Sequence, residues 1–183
     1  MSHQLLIRRR PCIRQCLPVS ALARYYTVHM STALTWQTVS TSSDATEQLG
    51  ERLGRALKGH EVIELISDLG GGKTTLVRGL ARGIGSADHV SSPTFKISNV
   101  YQGRNRRLYH FDFYRLSDPG IVAHELHDAL DDPDAVAVIE WSDIVAHVLP
   151  AERLTIKLAA SDENVRQITI TYPKSLQYLL ENL

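Results

Sequence analysis

The sequence predicts a three-layer α/β fold, in which helices flank a mixed, largely parallel central sheet with a closing antiparallel hairpin. Residues 62–66 form an apolar run that leads into three glycines, and a helical repeat of apolar residues follows. Residues 135–139 are all apolar, which is typical of a central strand buried on both faces. Residues 153–159 and 165–172 alternate apolar and polar side chains, which indicates the half-exposed closing hairpin.

The loop between the first of these strands and its helix predicts phosphate binding. Residues 62–75 read VIELISDLGGGKTT. Glycines lack a Cβ atom, so the backbone can turn tightly and direct successive N–H groups at one anion. Lys73 supplies a positive charge for the outer phosphates, and the Thr74 hydroxyl is placed to ligate Mg²⁺. The strand, loop and helix together indicate a P-loop NTPase-like domain. Its loop glycines are Gly70, Gly71 and Gly72.

One position departs from the usual phosphate loop. In the pattern G-x-x-x-x-G-K-[ST], the first glycine falls on Ser67. A serine can enter a loop, but its Cβ atom would penalise a positive φ angle. The geometry at this position is the one feature of the loop that the sequence leaves open.

Apolar periodicity and turn signals predict the remaining elements. Asp44 and Glu47 resemble a capping box at the start of the first helix, and Gly59 follows its end. Helical spacing and alternation then define further segments. They are a helix at 44–58, a strand at 95–101, a hairpin turn at 102–107, a return strand at 108–114 and a helix at 118–130.

Length and charge predict one domain with an N-terminal extension. The chain has 183 residues and no formal net charge, so any contact with RNA would be local or made through a partner. We assign residues 36–183 to the domain and residues 1–35 to a disordered, Arg-rich extension. The extension fits either a translation start assigned too early or a transit peptide. We expect a cytoplasmic protein, or an organellar one if the extension is a transit peptide.

Two carboxylates could complete the phosphate site. A phosphate loop needs an acidic partner for Mg²⁺ at the end of a neighbouring strand. Asp112 follows an alternating strand, and Glu140 closes the all-apolar strand. Either could instead be a solvated strand-end carboxylate, and the two could exchange the metal and water-orienting roles. Trp141 follows Glu140 and would place an aromatic surface near the nucleotide, although a tryptophan there also fits a core.

Two other patterns leave alternatives open. Residues 91–95, SSPTF, are either a simple turn fixed by Pro93 or a hydroxyl-bearing segment that senses the outer phosphate. Arg104, Arg106 and Arg107 form a basic hairpin tip. This tip is either a solvated turn or a contact for tRNA or an acidic partner.

The motifs DLGGGKTT, SSPTF, YHFDFYRL and VIEW occur in an order and spacing that resemble the TsaE family, over residues 36–172. Members of this family are small ATPases of bacterial tRNA threonylcarbamoyladenosine synthesis. The resemblance implies an ATPase that acts with TsaD and TsaB in modifying adenosine-37 of tRNAs reading codons that start with A. It assigns the carbamoyl transfer itself to TsaD.

The resemblance also implies roles for individual residues. Lys73 and the loop amides would hold the phosphates, while Thr74 and Glu140 would ligate Mg²⁺. Asp112 matches an essential strand-end aspartate of the family. Thr75 would be a second phosphate contact, and Trp141 matches the family's tryptophan beside the acidic residue. Residues 38–42 and Arg166 would approach the adenine or ribose, and Ser67 stands where the family usually keeps glycine.

Three rival functions share the same loop. A small-molecule kinase would need an acceptor site and a lid, for which little chain remains. A GTPase would carry N-K-x-D, which the sequence lacks. A switch that binds ATP without productive hydrolysis is the alternative that the sequence leaves open.

Overall fold

A computed structural model describes residues 33–116, 120 and 122–183 of the chain. Most of the extension predicted for residues 1–35 lies outside these residues. The alternative of an organellar location, which depends on that extension, therefore stays a prediction. No helix within the described ranges is long and apolar enough to cross a membrane.

The described residues form seven strands, three α-helices and two short 3-10 helices. In chain order they are β1 Leu34–Ser40, α1 Ser43–Ala56, β2 Val62–Ile66, α2 Lys73–Gly83, β3 Ser98–Gln102, β4 Arg107–Asp112, α3 Val122–Asp131, β5 Ala135–Glu140, a 3-10 helix Ser142–Val145, β6 Leu154–Ala160, β7 Arg166–Tyr172 and a 3-10 helix Lys174–Leu180.

The strands form one mixed sheet in the order β1-β7-β6-β2-β5-β4-β3. The central pairings of β6 with β2, β2 with β5 and β5 with β4 are parallel, whereas the outer three pairings are antiparallel. Helices α1 and α2 pack on one face, and α3 with residues 142–149 packs on the other. All six residues of β5 are buried, as expected for a central strand between two layers. The predicted three-layer α/β fold with a closing hairpin is confirmed.

Strand β1 is an edge strand that the sequence analysis did not place. It pairs with β7 from Leu34 opposite Tyr172 to Ser40 opposite Arg166. The regular structure therefore begins two residues before the predicted boundary at residue 36.

The predicted capping box at the start of α1 is wrong. The N-cap residue is Ser42, whose hydroxyl accepts a hydrogen bond from the N–H of Ala45 at 3.0 Å. Asp44 lies in the first turn instead, where its negative charge favours the positive end of the helix. The helix ends at Ala56, because Leu57 has an extended backbone.

The strand predicted at 95–101 begins only at Ser98. The N–H groups of Lys96 and Ile97 both donate to the Pro93 carbonyl, at 2.8 and 2.6 Å, so the SSPTF segment closes a turn before the strand starts. This turn leaves the Phe95 side chain 84% exposed. The return strand ends at Asp112 rather than at 114, and the helix predicted at 118–130 is described from Val122 to Asp131.

Helices α1 and α2 pack with their backbones in direct contact. A Cβ atom on Gly79 would lie 2.0 Å from the Glu47 carbonyl oxygen, and one on Gly50 would lie 2.3 Å from the Leu76 carbonyl oxygen. The tight crossing therefore fixes α2, which carries the phosphate loop at its N-terminus, against α1. The glycines at the crossing are Gly50, Gly54, Gly79 and Gly83.

Candidate active site

A cleft of about 360 Å³ lies where β4 and β5 end and α2 begins. The residues that the sequence analysis assigned to catalysis, phosphate binding and metal binding line this cleft, together with Trp141. These residues are Gly70, Gly71, Gly72, Lys73, Thr74, Thr75, Asp112, Glu140 and Trp141. The lining also includes Ser92 and Thr94 of the SSPTF segment, and the structure adds Leu69, Tyr114 and Arg115.

The loop turns through two glycines in the left-handed region. Gly70 has a φ angle of 75° and Gly72 one of 102°, conformations that favour residues without a Cβ atom. Gly72 is also the N-cap residue of α2 and has no side chain with which to accept a bond from the first-turn amides. These amides and the positive end of the helix are therefore directed at the cleft and suit an anionic ligand.

Ser67, whose geometry the sequence left open, does not adopt a positive φ angle. Among the described residues, the non-glycine positions with positive φ are His60, Ile97 and Trp141, so Ser67 is not one of them. Its side chain packs against Gly71, where an added Cβ atom would lie 2.5 Å from the Ser67 hydroxyl oxygen. The serine thus contributes a hydroxyl to the loop, and the adjacent glycine provides the space for it.

Lys73 is held across the base of the loop. Its ammonium group donates to the carbonyl oxygens of Ser67 and Asp68 at 3.2 and 3.3 Å, and to the Ser67 hydroxyl at 3.1 Å. It also lies 3.6 Å from Glu140 Oε2 and 5.2 Å from the centre of the Trp141 ring. With only 7% of the residue exposed, the positive charge is confined to the cleft.

The two predicted carboxylates are neighbours across the sheet. Asp112 and Glu140 are paired positions of the parallel strands β4 and β5, and they are 4% and 3% exposed. Glu140 Oε1 lies 2.9 Å from His110 Nε2, while its other oxygen faces Lys73. The alternative of solvated strand-end carboxylates is therefore wrong for both residues.

Asp112 connects the sheet to the SSPTF segment. Its Oδ1 accepts a hydrogen bond from the Tyr114 N–H at 3.0 Å, and its Oδ2 accepts one from the Thr94 hydroxyl. The Thr94 hydroxyl also lies 2.7 Å from that of Ser92. The segment is thus a turn whose hydroxyls reach the carboxylate in the cleft.

Trp141 turns the chain away from the end of β5. Its backbone is left-handed, with φ 57° and ψ 52°, and its ring contacts the Tyr114 ring at 4.9 Å between centres. The next residue, Ser142, donates its hydroxyl to Glu64 on β2. Glu64 therefore holds the turn that carries Glu140 and Trp141.

Glu64 is a buried acid with three hydrogen-bond donors. Burial raises its pKa, but the hydrogen bonds from Ser142, Arg153 and Thr155 and the charge of Arg153 together lower the pKa below the usual 4.5. The Arg153 Nε and the Thr155 hydroxyl lie 2.9 and 3.1 Å from Glu64 Oε2. The carboxylate is consequently favoured in its charged form.

A smaller cavity of about 110 Å³ adjoins the other side of the loop. Arg166 lines it and donates from Nε to the Gly71 carbonyl oxygen at 3.1 Å. Ser42, at the end of the predicted segment 38–42, lines it as well. The structure thus brings the two regions expected near the adenine or ribose to one place beside the phosphate loop.

The oxygen atoms in the cleft fit a hard divalent cation. Thr74, Asp112 and Glu140 offer a hydroxyl and two carboxylates, which are ligand types that Mg²⁺ prefers. Within the described part of the chain, no group of three His, Cys, Asp or Glu side chains could hold a metal by itself. A cation here would therefore need further oxygen ligands from phosphate and water, as Mg²⁺ commonly has in nucleotide sites.

The basic hairpin tip lies at the opposite end of the sheet from the cleft, because β4 starts at the tip and ends at Asp112. Arg107 forms an ion pair of 2.5 Å with Asp132, and the Arg104 side chain lies against Gly85. Two of the three arginines are thus engaged within the domain, which weakens the hypothesis of a basic patch presented to tRNA.

His110 is the contact that the sequence analysis missed. The sequence analysis assigned no role to this residue. In HFD, however, His110 and Asp112 are two residues apart on one strand and so share a face of the sheet. That pattern could have placed His110 beside the predicted carboxylates.

Comparisons with known proteins connect this region to one family. Residues 40–168 match the family described as "Threonylcarbamoyl adenosine biosynthesis protein TsaE". Two proteins named "tRNA threonylcarbamoyladenosine biosynthesis protein TsaE" are similar to the chain. The Bacillus subtilis protein is 35% identical over 142 residues, covering 75% of this chain and 85% of its own. The Treponema pallidum protein is 38% identical over 139 residues, covering 72% and 97%.

A solved structure has the same fold. The crystal structure of YdiB from Bacillus subtilis matches with a TM-score of 0.65 and 29% sequence identity, and the match covers 84% of this chain and 95% of that one. The residues matched by the family include the whole lining of the cleft.

Proposed function

The chain belongs to the TsaE family of threonylcarbamoyladenosine biosynthesis proteins, and from this premise we propose that it binds ATP with Mg²⁺ and hydrolyses it. The hydrolysis would serve threonylcarbamoylation of adenosine-37 in tRNAs that read codons starting with A. The protein would act with TsaB and TsaD homologues, and the carbamoyl transfer would belong to TsaD.

One observation carries this proposal: a buried lysine and two buried carboxylates meet at the uncapped N-terminus of α2. Lys73, Asp112 and Glu140 all line the cleft, and each is less than a tenth exposed. A phosphate loop supplies positive charge alone, whereas hydrolysis also needs acidic groups that hold a cation and orient water. The convergence of both kinds of group favours hydrolysis over simple anion binding.

The proposed reaction is an in-line attack of water on the γ-phosphate of ATP. The amides of the loop and Lys73 stabilise the negative charge that develops on the phosphate oxygens. Since its ammonium already donates to Ser67 and Asp68, Lys73 is oriented before the nucleotide arrives. Exclusion of water from the buried base of the cleft strengthens these interactions.

We assign different roles to the two carboxylates. Glu140 would hold Mg²⁺ with Thr74, because its two oxygens are already oriented by His110 and Lys73. When bound, Mg²⁺ would neutralise part of the charge on the phosphates. Asp112 would orient the attacking water, because its Thr94 contact joins it to the SSPTF segment, whose Ser92 and Thr94 line the cleft.

Magnesium titration separates these roles. We expect Glu140→Gln to raise the Mg²⁺ concentration needed for half-maximal nucleotide binding, whereas Asp112→Asn lowers kcat and leaves that concentration unchanged. The opposite pattern would exchange the two assignments.

Phosphate release, measured with and without the TsaB–TsaD complex, tests the function itself. Release in either condition supports an ATPase. Tight ATP binding with no release in both conditions would instead support a nucleotide-dependent switch.

Contact with tRNA is proposed to be indirect. The tip arginines lie far from the cleft along the sheet, and two of them are engaged within the domain. If the tip does touch tRNA, Arg104→Glu would weaken tRNA retention by the assembled complex in a salt-dependent way. If tRNA retention by the Arg104→Glu complex were unchanged at low salt, a contact between the tip and tRNA would be contradicted.

A further inference from the structure

His110 is a fully buried polar residue directly behind the cleft. Its exposure is 0%, and its ring lies 6.4 Å from that of Tyr101. It belongs to β4 and stands opposite Val138 of β5, two pairs before Asp112 and Glu140. The ring therefore lies on the same face of the sheet as both carboxylates.

A single hydrogen bond connects His110 to the site. Its Nε2 lies 2.9 Å from Glu140 Oε1. Since an ionised carboxylate can only accept, Nε2 is the nitrogen that carries the proton in this pair. The other Glu140 oxygen lies 3.6 Å from the Lys73 ammonium. Glu140 is thus held from behind by the His110 ring and faces the Lys73 ammonium of the phosphate loop in front.

Packing alone does not account for a histidine at this position. Its second nitrogen, Nδ1, is buried and has no hydrogen-bond partner among the described residues. A buried polar atom without a partner is unfavourable, and an apolar side chain of similar size would avoid this penalty. The neighbours Leu108 and Val138 are apolar and fully buried, so an apolar residue would suit the surroundings.

We propose that His110 is a positioning residue that fixes the Glu140 carboxylate for the cation of the bound nucleotide. This inference rests on the proposed nucleotide function of the cleft. Carboxylates that bind metals are usually oriented by such a second hydrogen bond, and its loss typically lowers metal affinity or activity by about 10–100-fold. His110 is fully buried behind the residues that line the cleft, so its effect on the site would pass through Glu140.

Three substitutions at position 110 separate positioning from packing. His110→Leu keeps most of the volume and removes the donor, His110→Ala removes both, and His110→Gln keeps an N–H donor on a side chain of similar reach. Val138→Ala is the matched control, because it opens space at the cross-strand partner of His110 without touching the hydrogen bond. Urea unfolding of each variant identifies those that are folded. One folded variant, either His110→Leu or His110→Ala, suffices for the test.

Two readouts are measured on the full chain. The first is the Mg²⁺ concentration that gives half-maximal ATP binding, followed by Trp141 fluorescence. The second is kcat and KM for ATP during phosphate release. The first readout needs no hydrolysis, so it tests the role of His110 even if the wild-type chain releases no phosphate, an outcome that would contradict only the ATPase proposal.

We expect the Leu and Ala variants to need about 10–100-fold more Mg²⁺, and to lose kcat more than they raise KM for ATP. His110→Gln should recover at least part of both effects, and Val138→Ala should match the wild type. In combination with Glu140→Gln, His110→Leu should add no further loss, because its effect passes through the carboxylate. A Mg²⁺ requirement that equals the control's, or losses that add in the double variant, would overturn the proposal.

Discussion

Replacing Gly79 by alanine is expected to destabilise the domain by forcing α1 and α2 apart. A Cβ atom at this position would lie 2.0 Å from the Glu47 carbonyl oxygen and 2.8 Å from the Glu51 nitrogen. Both neighbours are backbone atoms, so no side-chain rotation can make room. The helices would have to separate by roughly 1.4 Å to restore ordinary van der Waals contact.

The magnitude of this destabilisation follows from the packing that separation of the two helices would disrupt. Four fully or almost fully buried leucines pack between these helices and the sheet. If each loses about a quarter of some 2 kcal/mol of packing, the loss totals about 2 kcal/mol. Residual strain adds about 1–3 kcal/mol, and the better helix propensity of alanine returns about 1 kcal/mol. We therefore expect a net destabilisation of about 2–4 kcal/mol. The four residues are Leu49, Leu53, Leu76 and Leu80.

Urea unfolding followed by circular dichroism measures this difference as a shift in the midpoint at constant slope. Arg52→Ala is the control, because Arg52 is exposed on α1 and its loss should change stability by no more than about 0.5 kcal/mol. A Gly79→Ala variant as stable as the wild type, or more stable, would refute the close contact of the two helix backbones.

Three further outcomes test the surroundings of the cleft. Because the folded-state pKa of Glu64 lies below 4.5, its charged form stabilises the wild type above that pH relative to Glu64→Gln. This stability advantage should shrink as the pH falls below 4.5. If urea unfolding gave the same difference in free energy of unfolding between the two proteins at every pH, the prediction would be contradicted. ATP binding should change the tryptophan fluorescence of the Trp36→Phe variant but not that of the Trp141→Phe variant, since only Trp141 lines the cleft. A fluorescence change that survives in the Trp141→Phe variant would contradict the placement of Trp141 at the nucleotide site. Arg104→Glu should leave ATP hydrolysis by the isolated chain unchanged. Loss of hydrolysis in this variant would place the hairpin tip in the site.

The central elements of the fold could be predicted because their signals are local. The buried strand, glycine loop and helix at 62–83 occur in one continuous segment, and β5 is apolar throughout. Strand β1 was missed because its stabilisation comes from pairing with β7, more than 120 residues later in the chain. The start of α1 was misplaced because Ser42 and Asp44 are both good N-cap residues, and only the structure shows which one accepts the hydrogen bond.

The residues of the site likewise fall into two groups, those that a local motif predicts and those whose placement depends on distant strand pairing. The glycine loop, Lys73 and Thr74 follow from one motif, whereas the joining of Asp112 to Glu140 depends on the register of two strands. His110 was missed because its partner lies 30 residues away and is reached only through that register. The conformation of Ser67 was left open, since a φ angle is a property of the folded loop.

Hydrolysis in the cleft depends most directly on Lys73. The decisive measurement compares wild type with Lys73→Ala in a reconstituted system with TsaB, TsaD and tRNA. Phosphate release and threonylcarbamoylation of adenosine-37 over multiple rounds are recorded together. We expect the wild type to support both and Lys73→Ala, once shown to be folded by circular dichroism, to lose both. Normal phosphate release by folded Lys73→Ala would contradict the assignment of the cleft as an ATPase site.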